Sequence, residues 1–181
     1  GPFTQRVGLA APLAAAAVRL AGAPPPRAVL DPFCGSGTLL LEAGWAFPEA
    51  RLLGGDWTRR AARGAAENLR AAGLAERSEV AHRDARRLDA DYAPGSIDLL
   101  LTNPPFGLRI GQKIRFFGFY RRLLAAARRL LAPSRGRVVV LAHKRGQLFH
   151  AARREGFEVR HSIPVTTGDA RPTLVRLDPT A

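Results

Sequence analysis

The sequence has no methionine, a single cysteine and only 15 acidic residues in 181 positions. One cysteine, Cys34, cannot close an internal disulfide, which fits a reducing, cytoplasmic setting. No stretch reaches the roughly 18 uninterrupted apolar residues of a membrane helix. No basic start leads into an apolar run with a small-residue cleavage site, so no secretory signal is expected. The four histidines, His82, His143, His150 and His161, lack metal-ligand spacing, and no metal is expected. Without a methionine the chain lacks its own start residue, and Gly1-Pro2 resembles the remnant of a tag-removing protease. The sequence is therefore read as one domain, 1–181, of a longer protein that has lost an N-terminal region.

What is abundant is positive charge. The 28 basic residues leave a formal net charge of +13, and all but Lys113 and Lys144 are arginine. Bias toward G+C-rich codons explains arginine over lysine but not the shortage of acids. A compact surface with this excess attracts polyanions through phosphate neutralisation and counterion release. At 46% hydrophobic and 24% charged, the composition is that of a folded domain.

Short apolar runs alternate with longer amphipathic ones, the signature of a parallel sheet covered by helices. Strands are expected at 27–30, 50–54, 78–82, 97–102 and 137–141, with an antiparallel pair at 157–163 and 173–177. Helices are expected at 13–20, 38–47, 58–72, 116–131 and 144–154. On the fourth of these, Phe116, Phe119, Tyr120, Leu123 and Leu124 share one side, with Arg121, Arg122, Arg128 and Arg129 around the other.

Open parallel sheets bind ligands beyond the carboxyl ends of their strands, and marked residues fall there. Asp31-Pro32-Phe33-Cys34-Gly35-Ser36-Gly37-Thr38 follows the first strand, and its glycines let backbone approach a ligand near a helix start. Asp56 ends the second strand, where a carboxylate accepts hydrogen bonds from ribose hydroxyls. Asp84 follows the third and is placed to meet an adenine amino group. The dinucleotide fingerprint needs a small residue three beyond the second glycine. Leu40 stands there, which argues against a nicotinamide cofactor.

Asn103-Pro104-Pro105-Phe106 follows the fourth strand. Two prolines cannot continue a central strand, so the chain leaves the sheet. An exocyclic amine on a base is a poor nucleophile because its lone pair is delocalised into the ring. The Asn103 side-chain carbonyl and the Pro104 backbone carbonyl supply two acceptors that hold such a nitrogen in line with an electrophilic methyl. Phe106 offers a face on which a splayed-out base stacks, worth about 1–3 kcal/mol.

Together these residues resemble the class I methyltransferases, and within them the RNA guanine-N2 enzymes that carry a THUMP domain. The likeness rests on the 31–38 motif, on Asn103-Pro104-Pro105-Phe106-Gly107-Leu108-Arg109-Ile110-Gly111 and, more weakly, on 165–171. It implies a Rossmann-like α/β fold with a mostly parallel seven-stranded sheet, an antiparallel C-terminal hairpin and helices on both faces. It further implies S-adenosylmethionine as cofactor and RNA, foremost tRNA, as partner. Cofactor contacts are implied at Asp31, Phe33, Gly35, Gly37, Asp56, Asp84 and Ala85, with Trp57 against the adenine. Target-base contacts fall on Asn103, Pro104 and Phe106. Family members place this domain after an N-terminal RNA-binding module.

Arg109, Lys113 and Arg115 flank the catalytic loop and are read as phosphate contacts, and His143-Lys144-Arg145 offers another. Arg59, Arg60 and Arg63 are read as a solvated face. Cys34 lies in the cofactor turn and reads as a packing residue rather than a nucleophile. The rival readings are adenine-N6 methylation, ribosomal RNA guanine-N2 methylation, glutamine-N5 methylation and an inactive nucleic-acid-binding module.

Overall fold

A computed structural model describes residues 9–105, 115–168 and 170–181. Seven strands, β1 (Ala28–Asp31), β2 (Arg51–Asp56), β3 (Ser78–His82), β4 (Leu99–Thr102), β5 (Arg137–Ala142), β6 (Phe157–Pro164) and β7 (Thr173–Pro179), form one sheet ordered β3-β2-β1-β4-β5-β7-β6. Only β7 runs against the rest. The helices are α1 (Ala11–Leu20), α2 (Thr38–Ala46), α3 (Arg59–Ala71), α4 (Leu88–Asp91), α5 (Phe116–Leu130) and α6 (Arg145–Arg154).

The central strands β1, β2, β4 and β5 are apolar almost throughout because both faces are covered, whereas the edge strands β3 and β6 are polar and largely uncovered. Val29, Leu52, Leu99, Leu101, Val139 and Leu141 pack with α1, α2 and α3. Their alternating neighbours Leu30, Leu53, Leu100, Val138 and Val140 pack with α5 and α6. On α5, Tyr120, Leu123 and Leu124 are buried, with Phe116 and Phe119 half-buried beside them. Of the arginines around its other side, Arg121 binds Glu155 and Arg129 binds Asp89.

The structure extends β2 by two residues beyond the expected 50–54, since Gly55 and Asp56 stay in register with Ala81 and His82. β4 starts later than 97, with Ile97 forming only an isolated bridge to Leu131. The turns at 85–91 carry no hydrophobic period and were not anticipated. The strand order reverses between β1 and β4, which opens a crevice above their carboxyl ends.

Candidate active site

Four strand ends converge on this crevice. Asp31 closes β1, and only 1% of its surface is exposed. The Thr102 hydroxyl donates to Asp31 Oδ1 at 2.7 Å, and the Phe33 N–H donates to the same oxygen at 3.1 Å. Burial pushes this carboxyl up to about 7; the two hydrogen bonds pull the other way, and the nearby charge of Asp56 adds to the rise. The Asp31–Thr102 bond ties the last residue of β1 to the last residue of β4.

The glycine turn is fixed from several sides. Gly35 and Gly37 have φ of 52° and 87°, values that side chains disfavour. A Cβ on Gly37 would stand 3.3 Å from the Ala65 Cβ on α3. Asn68, also on α3, donates from Nδ2 to the Ser36 carbonyl at 2.9 Å. The Cys34 N–H donates to the Gly55 carbonyl at 2.9 Å. The Cys34 thiol is buried, and burial pushes its pKa up, which fits packing and not nucleophilic attack.

Asp56 ends β2, is buried, and accepts the Gly35 N–H on Oδ2 at 3.1 Å. Its Oδ1 accepts the Thr58 N–H and hydroxyl at 3.0 and 3.1 Å. Thr58 in turn caps α3, accepting from the Ala61 N–H. A carboxylate has about four lone-pair sites, two on each oxygen; Thr58 fills those of Oδ1, and Oδ2, which accepts the Gly35 N–H, keeps room for a further donor such as a ribose hydroxyl. Trp57 is half exposed at the mouth of this strand end.

Beyond β4, Asn103 carries its Oδ1 into a buried position with no hydrogen-bond partner among the described residues. An unmatched buried acceptor costs about 1–3 kcal/mol, so it marks a place where a donor is missing. Pro104 is buried and Pro105 exposed. The structure thus brings Asp31, Gly35, Gly37, Asp56 and Asn103 to one crevice.

Other predicted residues stand differently. The ring of Phe33 lies 5.6 Å from that of Phe119 on α5, so its side chain packs and its backbone N–H serves the site. Asp84 follows β3 and is partly exposed. Both its oxygens are held by Arg86, which holds its carboxyl down at about 2, and Ala85 begins the short turn behind it. An adenine amino group would have to share those oxygens. Arg115 is exposed at the start of α5. Phe106, Arg109 and Lys113 lie outside the described residues. Arg59, Arg60 and Arg63 line, with Gly64 and Glu67, an open cavity of about 320 Å³. Sequence reading missed Thr102. Its signal was a lone hydroxyl closing the run Leu99-Leu100-Leu101, where a polar side chain must find a buried partner.

A sheet of this order, with acidic ends on β1 and β2 and an Asn-Pro-Pro turn after β4, defines a class I methyltransferase domain. The chain belongs to the family UPF0020, described as an RMKL-like methyltransferase domain, which matches residues 2–173. It is 38% identical over 167 residues to a tRNA (guanine(6)-N2)-methyltransferase of Thermus thermophilus, covering 92% of this chain and 48% of the relative. It is 35% identical over 134 residues to a tRNA (guanine(10)-N2)-dimethyltransferase of Methanothermobacter thermautotrophicus, covering 72% and 38%. The crystal structure of TrmN from Thermus thermophilus superposes with a TM-score of 0.82 at 36% identity, covering 96% of this chain and 50% of that one. The chain spans about half the length of the first of these relatives and less of the second.

Proposed function

We propose that this domain transfers a methyl group from S-adenosylmethionine to the N2 amine of a guanosine in RNA, most specifically tRNA, in the cytoplasm. The observation that carries the reading is the orphaned Asn103 Oδ1 beside a crevice lined by Asp31 and Asp56. The names of the two relatives, both guanine-N2 enzymes acting on tRNA, support the choice of base and of RNA.

The donor set fits the cofactor. A buried carboxylate at Asp31 suits a cationic amino-acid end, the glycine turn leaves space for it, and Asp56 suits ribose hydroxyls. When bound, S-adenosylmethionine supplies an electrophilic methyl group on a cationic sulfur. The protein's part is to prepare the nitrogen. Asn103 Oδ1 accepts one N–H of the amine and the Pro104 carbonyl accepts the other, which draws the lone pair out of conjugation and fixes its direction. Proline offers no competing donor at that carbonyl's own residue. The amine lone pair would form the new N–C bond as the methyl–sulfur bond breaks, with that bond's electron pair staying on the departing neutral thioether, and the nitrogen would then lose a proton to water, so no strong base is required. Phe106 completes the base site in this reading.

Asn103→Ala tests it. Methyl transfer to tRNA should fall by roughly 10²–10³, while S-adenosylmethionine affinity, measured by titration calorimetry, stays within about twofold. A large loss of cofactor affinity would place Asn103 in the wrong pocket.

A further inference from the structure

At the edge of the sheet that carries Asn103, the residues that close the strands differ in charge from one half to the other. Its β1–β3 half ends in Asp31, Asp56 and Asp84. Its β5–β7 half ends in His143-Lys144-Arg145 and in the connection 165–172, which includes Arg171. The register brings these together, since Thr102 pairs with Val140 and Ala142 pairs with Thr173. β7 therefore lies two strand spacings, roughly 10 Å, from β4, and residues 143–145 and 171–172 emerge on the open flank of Asn103.

Lys144, Arg145, Arg171 and Arg115 are all exposed. None has a carboxylate partner among the described residues, whereas Arg27, Arg83, Arg86, Arg121, Arg129 and Arg176 each hold one. Along 115–120, 142–150 and 164–172 the sequence has one acidic residue, Asp169, which lies outside the described residues. Like charges gathered within a Debye length, about 8–10 Å, repel one another unless an anion joins them. The β1–β3 side carries arginines as well, at 59, 60 and 63 on α3, so it is the position beside Asn103, on the far side of β4 from Asp31 and Asp56, that singles out the β5–β7 cations.

We infer that the RNA strand crosses the β5–β7 half of the edge, with Lys144, Arg145 and Arg171 on backbone phosphates next to the nucleotide held at Asn103. Arg115 lines the near side of the same path. The inference rests on the RNA reading above and adds the route by which the substrate approaches. Lys144 and Arg145 stand at the start of α6, while Arg153 and Arg154 stand at its far end, roughly 15 Å away by helix rise. The far pair is also exposed, so one helix supplies a matched control.

The experiment compares Lys144→Gln/Arg145→Gln with Arg153→Gln/Arg154→Gln, and adds Arg171→Gln alone. Binding of a fluorescent tRNA transcript is followed by anisotropy from about 50 to 200 mM salt, with calorimetric cofactor affinity as the check on folding. The near pair should weaken binding about tenfold at low salt and flatten the log–log salt slope by about 1.5, and Arg171→Gln by about 0.8. The far pair should leave the slope unchanged. Equal slopes for the two pairs would overturn the route. If a double variant fails the folding check, Lys144→Gln and Arg145→Gln singly should each flatten the slope by about 0.8, and an unchanged slope in both overturns it. A wild type that binds tRNA but transfers no methyl group defeats the catalytic reading, while the slope comparison still decides the route. A wild type with no salt-dependent tRNA binding defeats both.

Discussion

Asp31 concentrates the electrostatics of the site in one side chain. Its carboxyl is buried among Thr102, the Phe33 amide, Cys34 and the charge of Asp56, and its pKa is pushed up to about 7. An unfolded aspartate titrates near 3.9, so between these values the empty fold holds a proton that the unfolded chain has released. The stability this group contributes is therefore fully present below about 4 and is lost as the pH rises through about 7. Binding of a cation asks for the opposite form. S-adenosylmethionine affinity should fall as the pH drops below 7, approaching ~10-fold per pH unit where only the ionised carboxylate binds. Calorimetry from pH 5.5 to 8.5 measures this. Asp31→Asn should bind weakly throughout with a flat profile, and a wild-type profile equally flat would remove Asp31 from the cofactor site.

At the scale of elements, the turn between β1 and α2 is held as much by α3 as by its own glycines. Gly37 needs its positive φ and its closeness to Ala65 together. Gly37→Ala should cost about 1–3 kcal/mol from backbone strain and contact, and should weaken cofactor binding more than Gly73→Ala, whose missing Cβ meets nothing within 4 Å. Denaturant melts with and without the cofactor separate the two effects. The sequence made the elements readable because both-face burial writes continuous apolar runs and leaves Asp31, Asp56 and Asn103 as polar punctuation at their ends. It did not disclose contacts between distant segments. Thr102 reaching Asp31 and Asn68 reaching Ser36 depend on which strands and helices become neighbours. Nor did it disclose that both oxygens of Asp84, expected at the adenine, would be gripped by Arg86 two residues on.

For the molecule as a whole, the edge opposite the site is closed by arginine. Arg137 is 2% exposed, and its guanidinium donates to the carbonyls of Ala21, Gly22, Pro24 and Arg135. Arg176 donates to Ala21 as well, and Asp98 gathers Arg27 and Arg135. These bonds fasten the α1–β1 connection to β5 and β7. Arg137→Met should take the guanidinium donors from the Gly22, Pro24 and Arg135 carbonyls, leaving Ala21 to Arg176, and cost about 3 kcal/mol, which for a domain of this size lowers the melting temperature by about 6–12 °C. Cofactor affinity at 20 °C should hold, because the change lies at the far end of the strands. Loss of cofactor binding at a temperature where the variant remains folded would contradict that separation.

The lone Asn103 oxygen has a bearing on how such a domain can drift. A group that waits for a donor makes the ligand-free protein less robust than it could be, so an apolar residue of similar shape at position 103 removes that burden and the chemistry with it. Laboratory selection for heat tolerance alone would then tend to retire the enzyme at this position first, and lineages in which the fold outlives the reaction should betray themselves there.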